Sequence, residues 1–516
     1  MSLFTLIAFA FACAAAYYLC PLRFRWLLLL FVSYAYYAYC GMNALPFILL
    51  TTLSTWAGAL LIGRTGEKAK AELKARKAEL DAAGKKALKA ATKKKQRRLF
   101  YLTLILNFGV LALLKYTSPV LEAAGRPALN LVLPLGISFY TFQSMGYLID
   151  VYGEKYAPEK NPAKFALFVS FFPQLIQGPI ARHDQLAHQL TEPHRFDWEN
   201  IHRGALLMLW GFFKKKVIAD RALPLVDEVF ANQGEFGGAV IVIAVLFYSL
   251  QQYCDFSGGI DLVTGIAELF GIRLAPNFKR PYFSVSLGDF WRRWHISLGS
   301  WMRDYVFYPF ALTKPVAKLS KAAKKAFGLE FSRALPAALG NILVFLLVGI
   351  WHGASMNYVL WGLYNGLILA MSALLEPVYK RTGERLGKFA KSRAFYVFRV
   401  LRTFVIVNIG WYFDRCLRAG DAFRMLYKTA FEPAMHQLSD GTLLELGLKL
   451  ADYRILAFAT VILFAVSVLQ ERGMSIRTRV LRLPVIPRVI LLYAFMYYVL
   501  ASFAGSGSSG FMYAIF

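Results

Sequence analysis

Long apolar runs recur from one end of this chain to the other, and they limit its possible folds more than any other feature. Hydrophobic residues make up 57% of the 516 residues. The runs lie near residues 1–20, 26–40, 44–62, 99–117, 129–150, 164–180, 203–220, 237–255, 337–350, 354–376, 395–413, 454–470 and 487–504. A run of about 17–25 apolar residues can cross a bilayer as a helix, so the sequence predicts an all-α polytopic membrane protein with roughly 11–13 membrane helices or re-entrant elements.

The net charge of +28 is concentrated in a few segments. The segment Arg64–Arg98 carries much of it, with only four acidic residues as counter-charges. Because Lys and Arg collect in cytoplasmic loops, we expect a helical cytoplasmic arm that lies over anionic lipid. No aromatic side chains interleave with these charges, which disfavours a nucleic-acid site. Three more clusters are expected on the cytoplasmic surface, where they would attract a phosphate-bearing coenzyme or an acidic carrier protein: Lys214–Lys216, Lys314–Lys325 and Lys380–Arg393.

His352 is the one side chain that titrates near neutral pH within an uncharged stretch from Asn341 to about Ala370. An ionisable group at bilayer depth normally faces a protein interior or a water-filled cavity. Histidine is also suited to moving protons near neutral pH. This stretch alone supports a functional histidine and a structural histidine bonded to a neighbouring carbonyl equally well.

A polar segment, Cys254–Asp261, follows an apolar helix in the middle of the chain. Its glycines and serine permit close approach of another backbone. Carboxylates at such a depth are tolerated when they are buried in protein or line a cavity. We interpret Asp255 and Asp261 as structural partners of the arginines at 292, 293 and 303; the alternative is that they orient a catalytic base.

The segment Asp289–Tyr305 interleaves tryptophan with arginine around His295. Such a mixture is typical of an amphipathic helix at a membrane interface. Three tryptophans and three arginines beside one histidine are, however, more polar and aromatic side chains than an anchor at the membrane interface requires. His295 is therefore a candidate for binding the substrate or leaving group, or for donating a proton.

Two further segments are unusual. Two prolines and a glycine interrupt the apolar run Phe172–Ile180, which precludes a regular helix and predicts a re-entrant segment bounded by protein. At the other end of the chain, the Gly/Ser-rich residues 505–510 predict a flexible linker. The aromatic end Phe511–Phe516 is then expected to be tethered and able to dock, with a disordered or lipid-facing end as the alternative.

The five scattered cysteines predict no structural disulfide, and no cysteine or histidine spacing suits a metal site. We find no internal repeat of fixed period, which argues against transporters built from repeated halves.

Together these segments resemble the membrane-bound O-acyltransferase family, in the bacterial branch that contains alginate and peptidoglycan O-acetylation proteins and the teichoic acid D-alanylation protein. Four stretches in the expected order carry the resemblance: Ser138–Tyr152, Phe172–Ile180, Asp255–Arg303 with its Trp-Arg-Arg-Trp-His-Ile-Ser core, and Trp351–Gly353. The C-terminal end is similar to the aromatic motif Phe-x-Tyr-Phe-x-Phe of this branch, except that Ala514 replaces an aromatic residue.

The resemblance implies that His352 is the catalytic histidine and His295 the second signature position. We expect His352 to act as general base, with the backbone near Gly353 and the side chains of His295 or Trp351 as oxyanion donors. Tyr513 is a candidate acyl acceptor. The remaining substrate or tunnel candidates are Trp351, Asp255, Asp289, Trp291, Arg292, Arg293, Trp294, Ser297, Arg303, Gln174 and Gln177.

The resemblance also implies a reaction and its partners. A cytoplasmic thioester, acetyl-CoA or an acyl carrier protein, would deliver an acyl group into a central tunnel, without a permanently bound cofactor or metal. An extracytoplasmic SGNH/GDSL-like acyltransferase would pass the group to a polysaccharide or cell-wall polymer. The expected location is the bacterial cytoplasmic (inner) membrane. The expected parts are residues 1–130 with the arm 64–98, a catalytic core at 131–375, C-terminal helices at 376–504 and a tail at 505–516.

Three alternatives stay open on the sequence alone. One is D-alanyl transfer to teichoic acid from a carrier protein. Another is a non-enzymatic, proton-coupled transporter in which His352 and the Asp255/Asp261 region relay protons. The last is the lipid-transferring or protein-palmitoylating branch of the same family.

Overall fold

The apolar runs form helices, as the sequence predicts. The computed structural model describes residues 3–129, 131 and 133–503. The protein is 82% helical, and no β-strand occurs among the residues that the structure describes. The all-α prediction is therefore confirmed.

The chain divides into two compact units. The first comprises the described residues up to Gly204 together with Val263–Ala275, and the second comprises Ala205–Leu262 and the described residues from Pro276 onward. The first unit contains α1 (Leu3–Leu19), α2 (Arg25–Cys40), α3 (Leu45–Ala75), α4 (Ala82–Ala123), α5 (Ile137–Tyr152), α6 (Pro162–Ser170), α7 (Phe172–Gln177) and α8 (His183–Thr191). Two helices contribute residues to both units: α9 (Trp198–Phe212) and, after the next helix in the chain, α11 (Gly238–Leu269).

The second unit contains the remaining helices. They are α10 (Asp220–Ala231), α12 (Leu287–Arg293), α13 (Ile296–Met302), α14 (Tyr308–Ala311), α15 (Lys314–His352), α16 (Met356–Leu374), α17 (Glu376–Leu386), α18 (Arg393–Arg415), α19 (Ala419–Phe431), α20 (Thr442–Glu445), α21 (Leu450–Glu471), α22 (Ile476–Arg482) and α23 (Val485–Phe503). Two π-helical stretches, Phe213–Ala219 and Arg303–Phe307, also belong to this unit. Gly328 has a positive φ of 85° and interrupts the helical geometry of α15.

The 11–13 membrane elements expected include re-entrant elements and elements too short to span, and the structure separates these from the full spans. Among the described residues, seven helices are long and apolar enough to cross, or eight if the bent pair α16 and α17 is one span. The seven are Met42–Ala75, Ala82–Ala123, Gly238–Leu269, Lys314–His352, Arg393–Arg415, Leu450–Glu471 and Val485–Ser502. The difference arises because several apolar runs lie in shorter helices, such as α1 with 17 residues and α6 with nine.

The basic arm Arg64–Arg98 is helical, as expected. It is the continuation of α3 and α4 beyond their apolar parts, and the turn between them is capped by Asp81, which accepts a hydrogen bond from the Gly84 amide at 2.7 Å. The side-chain amide of Gln96 donates to the Ile62 carbonyl at 3.1 Å and ties the two helices together. The arm is therefore a helical hairpin continuous with two candidate spans.

The proline-interrupted run Phe172–Ile180 is buried throughout, in agreement with a segment bounded by protein. It is not wholly irregular, because Phe172–Gln177 forms the short helix α7. Pro173 lies in the first turn of that helix, where a missing backbone N–H costs nothing. The helix ends at Gly178, whose φ/ψ is extended.

The hairpin of α15 and α16 positions His352. The two helices approach closely through glycines: a Cβ on Gly362 would lie 2.4 Å from the Phe345 carbonyl oxygen, and a Cβ on Gly349 would lie 2.4 Å from that of Tyr358. Small residues at such contacts let helix backbones pack tightly in membranes. The helix α15 ends at His352, and the chain turns back at Gly353–Ser355 to begin α16. His352 therefore lies at a rigid helix end rather than in the middle of a span.

Candidate active site

His295 and His352 line one cavity of about 550 Å³ in the second unit. The two residues are far apart in sequence and belong to different elements, since His295 lies between α12 and α13 and His352 ends α15. Four other predicted residues also line this cavity: Trp291, Arg292, Trp294 and Arg303. The structure thus brings together six of the residues selected from sequence.

Aromatic rings surround His352. Its ring packs edge to face against Trp361 at 5.1 Å and Trp351 at 4.9 Å, and lies stacked with Tyr358 at 5.9 Å, measured between ring centroids. Trp351 also lies 6.4 Å from the ring of His295, so its indole stands next to both histidines. Trp351 does not itself line the cavity. These rings hold the imidazole of His352 in a fixed orientation at the cavity wall.

The backbone of His295 is left-handed, with φ 46° and ψ 53°. This conformation costs a non-glycine residue about 1–3 kcal/mol and persists where neighbouring contacts enforce it. Asn277 supplies such contacts: its backbone carbonyl accepts from the Ile296 amide at 3.0 Å, and its side-chain oxygen lies 3.3 Å from Nδ1 of His295. The strained turn therefore aims the imidazole.

The contacts of Asn277 also fix the tautomer of His295. The backbone N–H of Ser297 lies 2.9 Å from the same side-chain atom of Asn277, and a backbone N–H can only donate. That atom must be the amide oxygen, so Nδ1 of His295 carries the proton that it donates to Asn277. In the neutral ring, Nε2 then holds a lone pair. In this neutral tautomer, Nε2 of His295 can accept a hydrogen bond but cannot donate one.

His295 is neutral as well as oriented. It is 4% exposed, and burial lowers the pKa of His295 to about 3, because the charged imidazolium loses its hydration. Its ring packs edge to face against Phe256 at 4.8 Å. At any physiological pH, His295 therefore presents an unprotonated Nε2.

The sequence analysis missed further lining residues, among them Asp414 and Trp361. Asp414 accepts hydrogen bonds from the Tyr248 hydroxyl at 2.6 Å and the Gln252 amide at 2.9 Å, and both Asp414 and Gln252 line the cavity. The sequence feature that could have identified Asp414 is its position as a lone carboxylate at the end of the apolar run 395–413. The second is Trp361, whose indole Nε1 is buried without a hydrogen-bond partner among the described residues. A tryptophan in an apolar helix gives no such signal in sequence.

Asp255 and Asp261 pair with lysines rather than with the arginines we expected. The Lys214 ammonium lies 2.8 Å from Asp261 and donates to Ser257 at 2.8 Å, while Lys215 contacts Asp255. Their structural interpretation is supported, but the predicted partners were wrong.

The expectation of a basic surface cluster at Lys214–Lys216 was also wrong. All three lysines are buried, at 2–4% exposure. Asp220 binds Lys215 at 2.8 Å and Lys216 at 2.5 Å, so three aspartates balance three lysines around the π-helical stretch. Internal carboxylates distant in sequence hold these charges inside the protein, which the clustering of charges alone does not reveal.

None of the remaining predicted residues that the structure describes lines the cavity. Asp289 and Glu471 both bind Arg293, at 3.2 Å and 2.9 Å, and Ser297 hydrogen-bonds to Asn277. Gln174 and Gln177 are buried in the first unit, where Gln174 donates to the Pro179 carbonyl at 2.9 Å. Tyr513 lies outside the described residues.

Comparison with known proteins gives a consistent result. Residues 154–413 match the sequence profile of the membrane-bound O-acyltransferase family, MBOAT. A probable alginate O-acetylase AlgI of Pseudomonas syringae pv. tomato is 34% identical over 461 residues, covering 87% of this chain and 78% of that protein. A peptidoglycan O-acetyltransferase of Helicobacter pylori is 31% identical over 363 residues, covering 64% of each chain. A teichoic acid D-alanyltransferase of Bacillus subtilis is 26% identical over 293 residues, covering 56% of this chain and 70% of that protein.

Proposed function

The chain belongs to the membrane-bound O-acyltransferase family and is an acyltransferase, and from this premise we propose that it transfers an acetyl group from a thioester to a hydroxyl in the His295/His352 cavity. The observation that carries the proposal is that two histidines from separate elements line one cavity. The relatives that are 31–34% identical over most of their length are named as O-acetylases or O-acetyltransferases, which favours acetyl as the group. The final acceptor is a polysaccharide or cell-wall polymer on the outer side of the bacterial cytoplasmic membrane.

The donor reaches the cavity from the cytoplasm as acetyl-CoA or an acylated carrier protein. His352 removes the proton of the acceptor hydroxyl, and the hydroxyl oxygen then attacks the thioester carbonyl carbon. The carbon–sulfur bond breaks, and the leaving thiolate takes the proton from the His352 imidazolium. General base catalysis of this kind contributes about 10²–10⁴-fold, and holding thioester and hydroxyl together supplies much of the remainder.

His295 has a different part in this scheme. Because its Nε2 accepts, it binds an N–H or O–H of a substrate rather than the developing oxyanion. Such a donor is present in the amide groups of a pantetheine arm, which coenzyme A and carrier proteins share. His295 thereby aligns the thioester with His352.

The indole N–H of Trp361 is the oxyanion donor in this scheme. Trp361 lines the cavity and packs against His352, and its Nε1 has no hydrogen-bond partner among the described residues. Trp361→Phe keeps an aromatic ring but removes the donor, so kcat should fall about 10²–10³-fold with little change in KM. The measurement is steady-state acyl transfer. Trp198→Phe, at an exposed position, is the control, and an unchanged kcat for Trp361→Phe would exclude the assignment.

Asn277 is a positioning residue for His295. Asn277→Ala removes the acceptor that fixes the tautomer, and loss of such an orienting partner lowers activity about 10–100-fold. Asn277→Asp retains an acceptor but places a carboxylate beside the ring, which raises the pKa of His295 from about 3. The acid limb of its pH–rate profile should therefore move to higher pH, because His295 becomes protonated at a higher pH than in the parent.

The matched control for that profile is Asn232→Asp, which adds the same charge at an exposed position directly after α10. Its pH–rate profile should coincide with that of the parent. An Asn277→Asp profile that also coincides with the parent would show that Asn277 does not act through His295.

The first acceptor in the proposed sequence is Tyr513. A tyrosine hydroxyl, with an ordinary pKa near about 10, is a poor nucleophile without a base such as His352. The acyl-tyrosine would pass its group to an SGNH/GDSL-like acyltransferase outside the membrane. Tyr513→Phe should abolish labelled acyl-protein and acetylation of the polymer, whereas Tyr497→Phe, an exposed tyrosine of α23, should retain both. Full export of acyl groups by Tyr513→Phe would leave direct transfer to the polymer as the route.

The proposed reaction is tested with purified protein in lipid nanodiscs and a radiolabelled acetyl thioester. Release of free thiol that depends on the protein supports acyl transfer, while a transporter would consume no donor. The likeness to a teichoic acid D-alanyltransferase makes D-alanyl the second candidate group. Offering acetyl and D-alanyl thioesters in competition distinguishes the two.

A further inference from the structure

Seven buried hydroxyl groups in the first unit have no hydrogen-bond partner among the residues that the structure describes. They belong to Tyr34 and Tyr37 of α2, Thr52 and Thr55 of α3, Tyr140 and Ser144 of α5, and Ser170 of α6. Six of these residues are at most 2% exposed, and the seventh, Tyr34, is half-buried with its hydroxyl oxygen enclosed. Native proteins satisfy nearly all of their buried polar groups, so these seven hydroxyls require an explanation.

The seven hydroxyls lie on helix faces that pack together. The two on α2 are three positions apart, as are the two on α3, and the two on α5 are four positions apart, so each pair shares one face of its helix. The helix α3 packs against α5 and α6, and α2 also packs against α6. The hydroxyls therefore form one cluster between four helices.

Contacts within the cluster are close but not direct. The Tyr34 hydroxyl lies next to those of Thr52 and Ser170. The Tyr37 hydroxyl lies next to that of Tyr140, and the two rings are 6.4 Å apart between centroids. No two of these groups meet with hydrogen-bond geometry. Polar groups that face one another without a direct hydrogen bond are commonly bridged by water.

The chemistry of the cluster defines its ligand. The helix α3 is a candidate membrane span, where no bulk water is present to satisfy a hydroxyl. All seven groups are uncharged, and each can both donate and accept a hydrogen bond. Water has the same properties, and a buried water typically makes about three hydrogen bonds to such groups. Tyr37 also lines a cavity of about 240 Å³, whereas one water needs only about 10–15 Å³.

We propose that the cluster is a binding site for ordered water molecules that bridge α2, α3, α5 and α6. Ser170, at the end of α6, directly precedes the buried segment that leads into the proline-interrupted run Phe172–Ile180. The bridging waters thus join that segment to α2 and α3, next to the direct hydrogen bond of 3.1 Å from the Phe172 amide to the Ser33 hydroxyl. This proposal does not depend on the acyl-transfer reaction.

The test is X-ray hydroxyl-radical footprinting of the full-length protein in lipid nanodiscs, read by mass spectrometry. Radicals that form from bound water oxidise adjacent side chains which bulk water does not reach. Tyr140 and Tyr147 are a matched pair, because both lie on α5 and both are 1% exposed. The Tyr147 hydroxyl, however, already accepts a hydrogen bond from the Glu159 amide at 2.8 Å. Tyr140 should be oxidised severalfold faster than Tyr147, and equally slow oxidation of both would overturn the proposal.

A variant tests the bridge at Tyr34. Thr52→Val keeps the shape of the side chain but removes one hydroxyl, so oxidation of Tyr34 should slow severalfold as the water loses a partner. The control is Thr65→Val on the same helix, where the hydroxyl donates to the Leu61 carbonyl at 2.7 Å, and it should leave Tyr34 oxidation as in the parent. A Thr52→Val protein that is monodisperse in gel filtration and shows parental oxidation of Tyr34 would contradict a water held between these two residues.

Discussion

His352→Ala is expected to lower acyl transfer about 10²–10⁴-fold, because the cavity loses the base that activates the acceptor hydroxyl. His352→Gln should lose as much, since glutamine retains volume and hydrogen bonding but cannot take up the proton. Comparing the two separates chemistry from packing, because His352 touches three aromatic rings and alanine leaves a void beside them. The measurement is thiol release from the acetyl thioester by purified protein, with thermal unfolding as the check on folding.

His436→Ala is the matched control for this prediction. His436 is exposed, lies in a short turn after α19 and does not line the His295/His352 cavity. Its activity should equal that of the parent. A folded His352→Gln protein with parental activity would remove His352 from the mechanism.

Lys215→Met is expected to destabilise the protein by about 3–5 kcal/mol, because it takes the Lys215 ammonium away from the buried carboxylates of Asp255 and Asp220. Lys215 is 2% exposed and contacts both Asp255 and Asp220. The readout is the free energy of unfolding in detergent micelles, followed by chemical denaturation. Lys318→Met, at an exposed position of α15, should change stability by less than about 0.5 kcal/mol.

A double variant tests the cause of this loss. Adding Asp255→Leu to Lys215→Met replaces both members of the Lys215–Asp255 pair by apolar side chains. Replacing both members of a buried ion pair costs far less stability than removing one. The double variant should therefore recover part of the stability that Lys215→Met loses. A double variant that is less stable still would show that the lysine acts through packing rather than through charge.

The sequence predicts the fold class well because apolar length is a local property. Each run can be recognised without knowing its partner, and the helical character of the basic arm follows from its composition in the same way. The apolar runs alone do not give the number of full spans, because a run such as 164–180 forms two short buried helices, α6 and α7, rather than one long one.

The candidate site was predicted only in part, because local sequence patterns identify some of its residues and not others. His352 and His295 were identified by their neighbours in sequence, and the structure brings them to one cavity. Asn277 was missed because its role depends on contacts with His295 and Ser297, which lie 18 and 20 positions later. No local sequence pattern predicts such contacts. Lys215 was misassigned to the surface because its partner Asp255 is 40 positions away.

The central claim is that acyl transfer takes place in the cavity shared by His295 and His352. The most direct measurement is a cryo-EM structure of the protein with a non-hydrolysable thioether analogue of the acetyl donor. The account predicts that the carbonyl of the acetyl group lies in this cavity, within hydrogen-bonding distance of Trp361 Nε1 and next to His352. An acetyl group bound in a different cavity, with the His295/His352 cavity empty, would contradict it.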